Sequence, residues 1–400
     1  MLKRYFSGLS LNTYLLALAS LFSDISTEML YPVLPIFLTQ TLGASVGLVG
    51  LVEGVAPAVQ NITQGFSGWL SDRLQKRKPL ALVGYVLGAI AKPLIGLSTS
   101  WVGVLGARSL DRFASGTRAA PRDALVAASA AEADRGKAFG LEGAGDNLGA
   151  FLGPLLAIAL LSLFQLSVHS IFLLAFIPGA LALLMVLFVR EKPITTTAKA
   201  KLDLNVRQLP KAYWKYLLST ALFGVGNSSN SFLILRTKGL GVSLTTTIFI
   251  YALFNLVAAL ASYPAGYLSD KLGRKNVLLC GFLVFLVVYV GFGLTSNVVL
   301  VGALFVLYGL YQGIFRSVGK ALATDFVPAE LSASGVGWYT TTIGVSGLVA
   351  SVVGGQLWTR VGPSATFLFG AASALVGSIA FVVLVPKTQL TGLNAAAKPA

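Results

Sequence analysis

Long apolar runs alternate with short polar or Gly/Pro-rich breaks along the whole chain, at a spacing of about 33 residues. A run of about 20 apolar residues is enough to cross a bilayer as a helix. The pattern predicts spans near 12–40, 46–70, 79–98, 101–127, 137–162 and 167–189, then 213–237, 243–268, 276–295, 298–326, 333–359 and 363–385. Little chain is left for a soluble domain. The longest polar stretch, 190–212, falls in the middle and divides the chain into a six-helix bundle over 1–189, a linker, a second bundle over 213–385 and a tail over 386–400.

The second half repeats the first. A shift of 198 lays Gly68-Trp69-Leu70-Ser71-Asp72-Arg73-Leu74 over Gly266-Tyr267-Leu268-Ser269-Asp270-Lys271-Leu272, Leu42-Gly43 over Leu240-Gly241, and Gly149 over Gly347. The same shift places Arg118 on Arg316 and Arg122 on Lys320. Two halves of this kind are expected to be related by an axis along the membrane normal, with a substrate site between them. An all-α membrane protein of twelve spans in two pseudo-symmetric bundles is the predicted fold.

Composition agrees: 55% of the 400 residues are hydrophobic and 11% charged, against roughly 25% charged in a soluble domain. The net charge of +15 does not indicate nucleic acid, because the bases are dispersed between apolar runs rather than gathered on one wet face. Of the 30 Lys and Arg, 20 fall in the segments on the side of both termini and three, Arg236, Lys238 and Arg360, on the other. The positive-inside rule then puts both termini in the cytoplasm. The apolar start after Met1-Leu2-Lys3-Arg4 is interrupted by Asp24 and Glu28 and reads as a retained first helix. The expected location is a cell membrane, bacterial inner by the short loops. One cysteine, Cys280, and one histidine, His169, argue against disulfide, thiolate or His-based metal chemistry, and no cofactor is expected.

The loop pattern Gly68-x-Leu70-x-Asp72-Arg73 with Arg77 after it, repeated as Gly266-x-Leu268-x-Asp270-Lys271 with Arg274, resembles the major facilitator superfamily over essentially the whole chain. In the first copy the trailing bases are one residue late unless Lys76-Arg77 is used. Gly permits close helix approach, Asp suits a helix N-terminus, and the bases can latch the cytoplasmic ends together. Arg112-Phe113-Ala114-Ser115-Gly116 is similar to the Arg-x-x-Gln-Gly signature of proton-coupled members, with Ser115 for Gln. Gly145-x-x-x-Gly149-x-x-x-Gly153-Pro154 is similar to the signature of exporting branches, although small-residue packing with a Pro kink would explain it equally.

A charge at the bilayer centre costs about 2.5 to 3.5 kcal/mol on insertion scales, so seven bases and seven acids within the predicted spans must face protein or water. Arg118, Arg122 and Asp111 share a face of helix four, extended by Arg108, Arg112 and Asp123. The resemblance implies that helices one, four, seven and ten line a central cavity. Arg118 and Arg122 would then confront Arg316 and Lys320 of helix ten, four cations suited to an anionic or zwitterionic substrate. Asp24 and Glu28, one turn apart on helix one, are expected to carry a proton, with Arg112 as the charge that responds. Asn227 and Asn230, in a polar cluster on helix seven, and Tyr31 are candidate substrate contacts. Glu53 and Lys92 are expected to pair, and Glu142 and Asp146 either complement helix four or extend a proton path.

The expected function is secondary transport by alternating access: export of a small organic molecule, possible as an anion or zwitterion, against an inward proton, by a monomer in the lipid bilayer. The alternatives are import of an anionic metabolite by symport or uniport, and a non-transporting receptor or scaffold. No Gly-x-x-x-x-Gly-Lys-Ser/Thr, His-Glu-x-x-His or Gly-x-Ser-x-Gly occurs, so neither an ATP site nor an intramembrane enzyme is indicated.

Overall fold

The computed structural model describes residues 9–74, 76–130, 135–191, 209–327 and 332–386. Most of the predicted linker and tail lie outside the described residues. The first half contains α1 (Leu11–Glu28), α2 (Val46–Leu74), α3 (Lys78–Leu97), α4 (Trp101–Ala128), α5 (Arg135–Ser162) and α6 (Val168–Leu174 and Phe176–Phe188). The second contains α7 (Lys211–Gly224 and Ser231–Gly239), α8 (Leu244–Leu272), α9 (Arg274–Leu294), α10 (Val298–Asp325), α11 (Ser332–Arg360) and α12 (Pro363–Leu384). Starts are set by polar caps: Ser10, Ser100, Ser167 and Ser243 each accept a backbone N–H of the first turn, and Asn297 accepts two. Such caps satisfy N–H groups that have no partner within the helix.

Nine helices among the described residues are long and apolar enough to cross a membrane. The three segments that fall short on that measure are α1, α4 and α7, at the places of the first, fourth and seventh predicted spans. Their departures have separate causes. Helix α4 carries Arg108, Asp111, Arg112, Arg118, Arg122 and Asp123. Helix α1 stops at Glu28 and resumes as a short turn, Leu34–Ile36, and a wider turn, Phe37–Thr41. Helix α7 is interrupted between Gly224 and Ser231.

Within the first half α1 packs on α5 and α6, and α4 on α2 and α3; in the second half α7 packs on α11 and α12, and α10 on α8 and α9. The halves meet through α2 with α11 and through α5 with α8, two interfaces related by the repeat. Glycines allow the closest approaches. A methyl group at Gly145, Gly149 or Gly153 would lie 2.5, 2.6 or 2.9 Å from the backbone oxygen of Ala17, Leu21 or Ile25, so this stripe seats α5 against α1.

The repeat shifts by one residue partway along. A methyl on Gly116 of α4 would meet the Gln60 carbonyl, Thr63 and Gln64 of α2, and one on Gly313 of α10 would meet the Ala258 carbonyl, Ala261 and Ser262 of α8. Helices α2 and α8 therefore correspond at a shift of 198, but α4 and α10 at 197. Arg77 and Arg274 confirm it, since each donates at 3.1 Å to one helix-end carbonyl, of Ala124 and Ala321. The extra residue lies in the first copy of the loop. Arg77 thus takes the place of Arg274 despite the irregular spacing.

Candidate functional site

A cavity of about 1320 Å³ lies between the halves, walled by α2, α4, α7, α10 and α11 and the segment around Tyr31. It runs from Glu53, Arg108 and Ser351 to Gly68, Ala120, Lys320 and Val336, near the helix ends that carry the basic loops. At the opposite end α2 and α11 are in backbone contact. The Gly47 N–H donates to Thr359 Oγ1 at 2.9 Å, and a methyl on Gly50 would sit 2.2 Å from the Ser351 carbonyl oxygen. Ser162 of α5 and Thr245 of α8 are hydrogen-bonded at 3.2 Å.

Where the cavity narrows, the interruptions of α1 and α7 meet. The Tyr31 and Ser229 hydroxyls are 3.2 Å apart, Ser229 Oγ donates to Glu53 Oε2 at 3.4 Å, and Tyr251 donates to Glu28 Oε2 at 3.1 Å. The Tyr31 and Tyr251 rings stack at 5.4 Å. Each of these contacts joins one half to the other.

Behind this closure is a buried ionic hub. Lys92 Nζ is 2.9 Å from Asp111, Arg108 bridges Asp111 at 3.2 Å and Glu53 at 3.3 Å, and Arg112 lies 3.0 Å from Asp111. Lys92, Arg108, Asp111 and Glu53 are all at most 4% exposed. Burial at that depth requires mutual neutralisation. The expected Glu53–Lys92 pair does not form, because Asp111 takes Lys92 and Arg108 takes Glu53. The corresponding positions of the second half are aromatic: Tyr289 for Lys92, Tyr308 for Asp111, Phe305 for Arg108 and Tyr251 for Glu53. Tyr289 and Tyr308 lie 6.2 Å apart in an aromatic core. One half is thus held at this level by charge and the other by ring packing.

The expected convergence of four cations is corrected by the one-residue shift. At 197, Arg316 corresponds to Ala119 and Lys320 to Asp123, and one residue is about 100° around a helix. Arg316 and Lys320 line the cavity and are exposed within it. Arg118 does not line it; it is buried with its guanidinium 4.8 Å from the centre of the Tyr85 ring. Arg122 turns toward α1 and α5, 3.0 Å from both Asp123 and Glu142, 3.7 Å from Asp146, and donating to Ser20 at 3.0 Å. Ser20 in turn donates to Glu142 at 2.7 Å. Glu142 and Asp146 therefore complement helix four.

Other candidates are placed as follows. Asn227, Asn230 and Tyr31 line the cavity. Asn227 donates to the Tyr311 hydroxyl at 2.9 Å and Asn230 accepts from Tyr308 at 2.8 Å, so buried tyrosines orient both amides. Arg112 also lines it, with Nη1 donating to Gln60 at 3.3 Å. Asp24 and Glu28 are half-buried beside Gly149 and Gly153. The charges around Glu28 are those of Arg112, Arg316 and Arg108; those around Asp24 are Asp146, Glu28, Arg118 and Arg122. Pro154 continues the glycine stripe within α5. In the loops, Gly68 lies against Ala120, Lys271 sits over its own helix's Tyr267 ring, and Arg274 pairs with Asp325. Gly266 has open space around it. Asp72, Arg73 and Asp270 lie within described helices, but the latch expected of them rests on side chains that are outside the described ones.

Several wall residues were not singled out from sequence: Gln60, Asn61 and Gln64 of α2, Gln312 of α10 and Trp338 of α11. The amides of α2 carried a readable signal, three polar side chains within five positions of an apolar run. Gln312-Gly313 takes the second-half place of Ser115-Gly116, which the shift of 198 conceals.

Two repeated bundles of membrane-length helices around a cavity of mixed polar and apolar lining, open toward one end, are the architecture of a multi-pass membrane transporter, not an enzyme. The chain belongs to the Major Facilitator Superfamily, whose family model matches residues 16–235 and 216–399. An uncharacterised MFS-type transporter of Methanocaldococcus jannaschii is 36% identical over 93% of this chain and 94% of its own. A multi-drug resistance efflux pump homolog of Lactococcus lactis is 24% identical over 93% and 92%. Among solved structures, a peptide transporter in complex with sulfate superposes with a TM-score of 0.78 at 16% identity, over 94% of this chain and 95% of its own. A bacterial homolog of the lysosomal transporter Spinster, inward-facing and unoccupied, gives 0.72 at 16% over 94% and 95%.

Proposed function

We propose that this transporter exports a small organic anion in exchange for protons, as a monomer in a bacterial inner membrane with both termini cytoplasmic, so that the cavity opens inward. The observation that carries the anion reading is the pair Arg316 and Lys320, exposed in the cavity with no carboxylate in ion-pair contact among the described residues. A guanidinium fork beside an ammonium suits a carboxylate or phosphate. Asn227 and Asn230 supply hydrogen bonds from the second half and Arg112 charge from the first. The proton sites are Asp24 and Glu28, the two acids of α1, of which Glu28 has Arg112 and Arg316 around it and Asp24 has Arg118 and Arg122. Export is supported by the efflux pump named among the relatives and by the Gly149, Gly153 and Pro154 series.

A second reading has its own observation. Glu28 faces both Arg112 and Arg316, so an anion on those bases would displace a carboxylate from its cations, and a proton would become the replacement counter-charge. Anion and proton would then travel together. Purified transporter in liposomes with an imposed pH gradient separates the two: exchange drives a labelled anion toward the acidic compartment, co-transport toward the alkaline one. Uptake of lipophilic cations alone, unaffected by Arg316→Gln, defeats the anion reading.

A further inference from the structure

We infer that the substrate is an amphipathic dianion, with both negative charges on one end and an apolar body directed toward the open mouth of the cavity. This rests on the anion reading above and narrows it by charge balance. In the hub the ion-pair contacts of Lys92, Arg108 and Arg112 among the described residues are with Asp111 and Glu53, so three cations share two acids and one positive charge is left over. It is presented at Arg112, which lines the cavity. Arg316 and Lys320 add two more, one turn apart on one face of α10, a spacing of about 5–6 Å between Cβ atoms. The acid set among these bases is Glu28. Three cations against one carboxylate leave two positive charges unbalanced in the cleft, whose protein walls focus their field on an entering anion. A single carboxylate would neutralise half of that excess; a phosphate monoester or a dicarboxylate would neutralise all of it.

The remainder of the wall indicates what the charges are attached to. Phe66, Phe315, Trp338 and Ile343 form its apolar part, beside Arg316 and extending to the mouth. The volume of about 1320 Å³ exceeds the roughly 300–1,000 Å³ typical of small-molecule sites, far more than a bare inorganic anion needs. Aromatic walls favour a flat or ring-bearing body.

The test is calorimetric titration of the purified transporter with phenyl phosphate, benzoate, inorganic phosphate and benzylammonium at a pH of about 8, where the phosphate monoester is a dianion. Phenyl phosphate is expected to bind about tenfold more tightly than either benzoate or inorganic phosphate, the size of one further charge-assisted contact. Lys320→Gln should lower phenyl phosphate to the level of benzoate and leave benzoate within about twofold. Equal binding of benzoate and phenyl phosphate, both above benzylammonium, overturns the dianion and leaves the anion reading standing. Benzylammonium binding without any anion, or no binding of the four at millimolar concentration, overturns both. Should the Lys320 variant fail to fold, the ranking of the four compounds on the native protein decides alone.

Discussion

Asp111 neutralises Lys92, Arg108 and Arg112 at once, which makes it the residue on which the first half's polar interior depends. Asp111→Asn leaves two buried cations, Lys92 and Arg108, with a single acid, Glu53, and should destabilise the protein by about 3–5 kcal/mol, seen as a large fall in the detergent unfolding temperature. Tyr308→Phe, the corresponding site in the second half, removes a hydroxyl that donates to Asn230 and accepts from Gln312 and should cost about 1–3 kcal/mol. Equal losses would mean that the hub is not what holds its half together. The acids of α1 call for a functional readout. Asp24→Asn combined with Glu28→Gln should abolish pH-driven accumulation while counterflow between labelled and unlabelled substrate persists; loss of both activities would point to a folding role. At this scale the sequence was a partial guide. It marked which charges lie at bilayer depth, but a turn of about 100° per residue makes the facing of Arg118 and Arg122 depend on a single loop insertion near Arg77.

Among the elements, the α1–α5 contact is one that function is expected to use, because it carries Asp24 and Glu28 on one side and Gly149 and Gly153 on the other. Gly149→Leu would drive a side chain into the Leu21 carbonyl, an overpacking cost of about 1–3 kcal/mol or more. Transport should fail at a temperature where the fold survives, checked by flux beside a thermal unfolding curve. Gly266→Ala, with open space around it, should be nearly neutral by both measures. Span positions were readable to within a few residues because apolar length is a direct bilayer requirement. The interruptions were readable only in part. The polar run Asn227 to Ser231 signalled the break in α7, whereas Met29 to Val33 in α1 is mostly apolar and its one local sign is Pro32, which cannot continue a helix. It is stabilised by partners distant in sequence, Ser229 and Tyr251.

For the molecule as a whole, rocking of two bundles requires that the closed end come apart. Gly47→Cys with Thr359→Cys, on a Cys280→Ser background, places thiols across α2 and α11, where a Cβ at position 47 would lie 3.3 Å from Thr359 Oγ1, a separation that suits a disulfide. Oxidation should stop transport and reductant restore it; undiminished flux in the cross-linked protein would exclude opening at that interface. The two-bundle plan followed from the duplicated loops, but the different interiors of the bundles did not, since a repeat detected at conserved glycines and loop charges says nothing of positions that have diverged from Asp111 to Tyr308. That divergence has a bearing on selectivity. In a strictly twofold cleft a cargo would have two equivalent poses, rotated by half a turn about the membrane normal. With cations from Arg316 and Lys320 on one wall and Ala119 and Asp123 at the corresponding positions of the other half, the degeneracy is lifted and a charged cargo is left with a single orientation, its anionic end turned to α10.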